Sequence, residues 1–153
     1  MVAHADKGHV RPMQQQLSVI TLGVDDPDRA RRFYEDGFGW TPVFRLPGEI
    51  VFFQMNGFVL GLWRRAALAD DSNRPNEAGS GAFALAHNVA SAADVQPVLD
   101  RLAAAGGRIL RNAEAPPHGG MRGYVADPDG HAWEIAHNPA WTIGADGSVT
   151  FGV

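Results

Sequence analysis

The order strand, helix, strand, strand, strand is written twice along this chain, and a unit that small rarely buries a core by itself. In the first copy Leu17 to Val24 reads LSVITLGV, with Ile20, Leu22 and Val24 alternating onto one face of a predicted strand. Asp26 is placed to cap a helix, Pro27 suits its first turn, and Ala30, Phe33 and Tyr34 form an apolar stripe that ends at Gly37. Three strands are predicted next, Pro42 to Leu46, Ile50 to Met55 and Phe58 to Trp63, divided by turns at Pro47-Gly48 and Asn56-Gly57. Residues 64 to 80 lose the alternation and collect Asp, Ser, Asn, Pro and Gly, the composition of a surface linker.

The order then restarts. Ala82 to Asn88 reads as a strand, and Ser91 to Ala105 as a helix whose Val95, Val98, Leu99 and Leu102 face one side before Gly106-Gly107. Either Ser91 caps this helix and Pro97 bends its second turn, or Asp94 caps it and Pro97 falls in the tolerant first turn. Arg108 to Asn112, Met121 to Ala126 and Ala132 to His137 complete the copy, the last two joined by Asp127-Pro128-Asp129-Gly130. The division is therefore a tail at 1–16, a first module at 17–63, the linker at 64–80, a second module at 81–138 and an extension at 139–153, all in one domain. The extension carries an Asp146-Gly147 turn between apolar runs, which predicts a terminal hairpin over a sheet edge or a partner subunit.

Composition removes whole classes of function. With no cysteine among 153 residues there is no thiol nucleophile, no cysteine-held zinc or iron–sulfur cluster and no disulfide. A net charge of -4 is the wrong sign for a nucleic-acid binder. No apolar run approaches the roughly 18 to 20 residues of a membrane span, and the opening residues lack a secretory core, so a cytoplasmic protein without membrane contact is expected. Nucleophile elbow, P-loop, dinucleotide fingerprint and HExxH motifs are all missing from the sequence.

Three segments carry a resemblance: FYEDGFGW after the first helix, AAAGG after the second, and YVADPDGHAWEIAHNP near the end. Together with the doubled βαβββ order they resemble the vicinal oxygen chelate superfamily, which includes glyoxalase I, extradiol dioxygenases and bleomycin-resistance proteins. The resemblance covers roughly Leu17 to Pro139. It implies an α+β fold in which each module contributes a curved half-barrel sheet with its helix on the convex side, and it implies a homodimer.

The resemblance also implies four metal-ligand positions on the concave faces, which fall on Val19, Gly61, Ala82 and Glu134. Three of the four carry no donor, and one glutamate does not hold a divalent cation against water. His131 and His137 do not repair the set, because a strand's period of two turns them to the face opposite Glu134. No cofactor is therefore expected, with a divalent metal held by other ligands as the alternative. Alternation assigns Thr21, Trp63 and Ala136 to the concave side too, with Arg122 and Tyr124 sharing a neighbouring strand face and Gln54 nearby. The expected ligand-binding set is Val19, Thr21, Gln54, Gly61, Trp63, Ala82, Arg122, Tyr124 and Glu134, around an apolar or mixed small molecule. The first reading is a binding protein of the bleomycin-resistance type. The second is an enzyme of lyase, isomerase, epimerase or dioxygenase type, with Glu134 as a metal-independent catalytic base or a metal on unassigned ligands.

Overall fold

The computed structural model describes residues 12–77 and 81–153. Most of the expected tail and the end of the expected linker, residues 78–80, lie outside the described residues; residues 12–16 are exposed and take no regular structure. The first module runs β1 (Val19–Val24), α1 (Pro27–Phe33), β2 (Phe44–Leu46), β3 (Ile50–Gln54) and β4 (Val59–Arg64). After α2 (Arg65–Ser72), the second runs β5 (Leu85–Asn88), α3 (Val95–Ala104), β6 (Arg108–Glu114), β7 (Met121–Ala126) and β8 (Ala132–His137). Each forms a four-stranded sheet in the same order, β1-β4-β3-β2 and β5-β8-β7-β6, with the first pair parallel and the rest antiparallel. The duplicated α+β architecture is thus present, and the sheets do not join into a closed barrel.

Local chemistry explains the helix ends. The Asp26 carboxylate accepts from the backbone N–H groups of Asp28 and Arg29, and Pro27 occupies the first turn of α1. The chain then widens into a π-helical turn, Tyr34–Phe38, and stops at Gly39, whose φ of 77° is left-handed. At α3 the helix proper begins at Val95, so Pro97 does sit in its first turn, after a 3-10 turn at Ala92–Asp94. Neither Ser91 nor Asp94 makes a side-chain cap bond there. The expected linker differs more: Arg65–Ser72 is helical, and Leu68 and Arg65 lie against Gly23 at the end of β1. Among the described residues no helix is long and apolar enough to cross a membrane.

The modules share one core. Leu22, Val24, Leu60 and Leu62 from the first sheet join Val125, Trp133 and Ile135 from the second, with Phe33, Tyr34, Leu99 and Leu102 from the helical segments between them. A Cβ on Gly37 would stand 2.8 Å from a Leu102 methyl, so glycine permits the π-turn to press directly onto α3. Both sheets spend their helix-bearing faces on this core, and their open faces consequently point away from it.

A polar lock reinforces the junction. The Asp127 carboxylate accepts from the Tyr34 hydroxyl at 2.6 Å and from the backbone N–H of Asp129 and His131, each at 2.9 Å. The indole N–H of Trp133 donates to the Tyr34 oxygen at 3.1 Å. Asp129 accepts from the Asp25 backbone N–H at 2.8 Å and from Arg29 at 2.9 Å, while His131 Nε2 meets the Gly23 carbonyl at 2.8 Å. The turn between β7 and β8 is thereby plugged into the β1–α1 corner of the other module.

Candidate functional site

The open face of the first sheet carries Val19, Thr21, Phe44, Leu46, Phe52, Gly61 and Trp63, as the pairing Phe44↔Phe52↔Gly61↔Thr21 requires. It is apolar and, beyond its Gly23 end where Leu68 and Arg65 lie, open among the described residues, with Val19, Phe44 and Leu46 each about half exposed at 50%, 51% and 52%. Phe44 and Phe52 pack ring to ring at 5.8 Å. Gly61 is buried beneath them: a Cβ there would lie 3.1 Å from the Phe52 ring and 3.6 Å from the Thr21 hydroxyl. The space into which a ligating side chain at 61 would project is filled by Phe52. Trp63 is half-buried, and its indole N–H donates to Glu49 at 3.1 Å, which helps hold the Glu49 carboxyl below its usual range.

The second sheet's open face is chemically different. Tyr124 stands opposite Glu134, and its hydroxyl donates to the carboxylate at 2.5 Å. That hydrogen bond, more than burial, raises the tyrosine above its ordinary pKa. Arg122, one step along β7, donates to Glu114 at 3.2 Å and to its backbone carbonyl at 3.3 Å, and Arg111 pairs with the same carboxylate. The arginines hold Glu114 below the usual carboxylate range, Arg111 contributing most.

The sequence-predicted residues therefore fall into two groups. Val19, Thr21, Gly61 and Trp63 share one sheet face, and Arg122, Tyr124 and Glu134 share another. Because the shared core lies between the sheets, one chain does not bring the groups into a single cleft. Gln54, paired with Val59 at the end of the first group's face, bonds the carbonyls of Met55 and Phe58 at the lip of a cavity between the modules. Ala82 is exposed and precedes β5, which begins only at Leu85, so it does not occupy a strand position. The partner of Glu134 is Tyr124, whereas Arg122, on the same strand face, turns to Glu114. Register alone carried that signal, since Tyr124 and Glu134 are equidistant from the centre of the turn joining their strands.

These residues do not fit a divalent cation. Val19, Gly61 and Ala82 offer no donor, which leaves a single carboxylate, Glu134, of the four positions. Among the described residues no group of three His, Asp or Glu gathers to hold a metal ion. His131 and His137 bond the backbone carbonyls of Gly23 and Val89.

Two helix-backed βαβββ sheets in one chain, with Val19, Gly61 and Glu134 on their open faces, define a paired-module protein. A family model described as Glyoxalase/Bleomycin resistance protein/Dioxygenase superfamily matches residues 16–135, and the chain belongs to that superfamily. A solved structure described as a glyoxalase-related enzyme from Fulvimarina pelagi is 60% identical, covering 91% of this chain and 99% of that one with a TM-score of 0.88. Lactoylglutathione lyase from Agrobacterium tumefaciens is 25% identical with a TM-score of 0.64, over 81% of this chain and 94% of its own. A family enzyme from Burkholderia phytofirmans PsJN shares the fold at 18% identity and a TM-score of 0.70, over 80% of this chain and 98% of its own. No curated protein matches the chain.

Proposed function

We propose that this protein binds a small molecule without the four-ligand metal centre that its superfamily resemblance implies. The ligand lies between the apolar open face of one protomer's first module and the polar open face of its partner's second module, in a homodimer. Phe44, Phe52 and Trp63 cover the apolar part of such a molecule, and Tyr124, Glu134 and Arg122 meet its polar part. The Phe52 ring over Gly61 carries this reading, because it occupies the position of a lost ligand with apolar surface. A cysteine-free chain suits a reducing compartment, and we read the protein as cytoplasmic.

Elemental analysis after dialysis against Ni, Zn, Fe, Mn and Co in turn tests the metal-free claim. Less than about 0.1 equivalent of each metal is expected. Near-stoichiometric metal that disappears in Glu134→Ala would overturn it. Sedimentation should show a species of twice the chain mass, and a monomer at all concentrations would remove the two-chain cleft.

One observation favours a second reading, in which Glu134 is a catalytic base. A tyrosine hydroxyl held 2.5 Å from its carboxylate fixes the side chain in one orientation, as proton transfer requires. The Fulvimarina pelagi protein is itself described as an enzyme. On this reading Glu134→Gln, which keeps the shape and removes the base, lowers turnover by about 100-fold or more. Unchanged turnover would exclude it.

A further inference from the structure

The end of the module junction away from the Asp127 lock is open. A cavity of about 1150 Å³ lies there, slightly above the roughly 300 to 1,000 Å³ of ordinary small-molecule sites. Trp40, Phe53 and Trp133 line its inner wall, and His87 stands at one flank. The wall is rigidly built: Phe38 stacks on Trp40 at 4.2 Å, and Trp133 meets Trp40 edge to face at 5.7 Å. Its roof is a hairpin, β9 (Thr142–Ile143) and β10 (Val149–Thr150), whose Ile143 and Val149 line the cavity. The expected terminal hairpin thus forms. It covers this cavity, and the Asn56 side chain donates to the Asp146 carbonyl to tie it to the β3–β4 turn.

The chemistry of the lining selects a class of ligand. Asp146 is the one carboxylate among the described lining residues, and its Oδ1 already accepts from the Ser148 N–H at 3.0 Å and hydroxyl at 2.6 Å. That negative charge stands on the hairpin; away from it the lining offers flat aromatic surface and amide groups, so a charge set against the Trp40 and Trp133 wall would go unpaired. His87 is the reactive exception. Phe38 and Trp40 approach its ring edge to face at 5.7 and 6.4 Å, and among the described residues none is its hydrogen-bond partner. Burial lowers its pKa, so at neutral pH the imidazole presents one N–H donor and one bare nitrogen.

We propose that this cavity is a second ligand site, for an uncharged, flat aromatic molecule bearing one hydroxyl or carbonyl group. Its rings lie against Trp40 and Trp133, its polar group bonds to His87, and the terminal hairpin closes over it. Gln54 and Ala86, at the margins of the open sheet faces, reach its rim, but Thr21, Trp63, Tyr124 and Glu134 do not line it, so its aromatic wall is distinct from those faces.

The test is a calorimetric titration of the full chain with 2-naphthol and, in parallel, with naphthalene. Saturable binding of 2-naphthol below about 1 mM is expected, tighter than naphthalene by about tenfold for the added hydrogen bond. His87→Phe should abolish that tenfold difference and leave naphthalene binding in place. Ala84 is an exposed lining residue outside any strand, so Ala84→Phe should fill the cavity and weaken both ligands at least tenfold with an unchanged denaturation midpoint. Ile143→Asp in the roof should weaken both without touching the core. No saturable binding of 2-naphthol, or equal binding in Ala84→Phe and Ile143→Asp, overturns the site. An undiminished preference for 2-naphthol in His87→Phe overturns the role of His87.

Discussion

Two turns occupy equivalent places in the modules, Asn56-Gly57 between β3 and β4 and Asp127–Gly130 between β7 and β8, and they do opposite things. Both close with a left-handed glycine, Gly57 at a φ of 78° and Gly130 at 89°. Asp127 is nevertheless 3% exposed and bonded across the junction to Tyr34, whereas Asn56 is exposed and reaches only the terminal hairpin. A duplicated turn becomes a lock when its side chains find buried partners in the other module, and a lip when they do not. One end of the junction is sealed for this reason, and the other is left with a cavity. The sharpest way to break this contrast is to remove the lock.

Asp127→Ala should have the largest effect. It strands the Tyr34 hydroxyl and the backbone N–H groups of Asp129 and His131 in a buried site. A loss of about 3 kcal/mol is expected from the denaturant midpoint, as for other buried polar networks cut on one side. A loss under about 1 kcal/mol would mean that apolar packing alone seals that end. Tyr34→Phe should cost less, about 1 to 2 kcal/mol, because Asp127 keeps its two backbone donors.

The same pair gives a pH signature. Burial, and then the neighbouring Asp127 charge, push the Tyr34 hydroxyl well above its ordinary value. A group whose pKa is raised on folding contributes stability that is complete below its unfolded value, here about 10, and lost as pH climbs toward the folded value. Stability of the wild type should therefore fall more steeply above about pH 10 than that of Tyr34→Phe, measured as midpoint against pH. Parallel alkaline limbs would show that the Tyr34 proton is not linked to folding. Burial raises Asp127 as well, so its own titration adds stability as pH falls and does not drive acid unfolding.

Much of this architecture is legible in the chain because alternation is a local signal. Ile20, Leu22, Val24, Leu60, Leu62 and Ile135 fall on the helix side as the period of two demands, and β7 and β8 have the expected bounds. The helix Arg65–Ser72 is not legible, since its polar, alanine-rich sequence shows no apolar stripe and its packing rests on Leu68 meeting Gly23. The late start of β5, which leaves Ala82 off the sheet, is set by its partner β8: pairing begins only where Leu85 meets Trp133. Asp127-Pro128-Asp129-Gly130 is readable as a turn and as a family motif. Its role as a lock depends on partners about a hundred residues away, and no periodicity encodes them. The candidate site is split for the same reason: each face is written in its own strands, while their separation by one core is a property of how the modules dock.

The open end should respond to a change too small for the core to register. Asn56→Ala removes the side-chain tie between the β3–β4 turn and the hairpin, at an exposed position where global stability shifts by less than about 0.5 kcal/mol. The hairpin has only two paired positions on each side, Ile143 with Val149 and Thr142 with Thr150, and the Trp141–Phe151 ring pair at 5.4 Å joins its own ends, so the Asn56 bond is what ties it to the β3–β4 turn. The Gly144 N–H, bonded to the Ser148 carbonyl at 2.7 Å inside the hairpin, should exchange with solvent about tenfold faster in Asn56→Ala. The amides of Leu62 and Val125, on strands of the shared core, should keep their wild-type rates. Acceleration of all three would make the roof part of the cooperative core, and the division into a sealed end and an opening end would fail. Acceleration of Gly144 alone would locate the division at Asn56, the residue in the first turn that holds the place where the second turn has its lock.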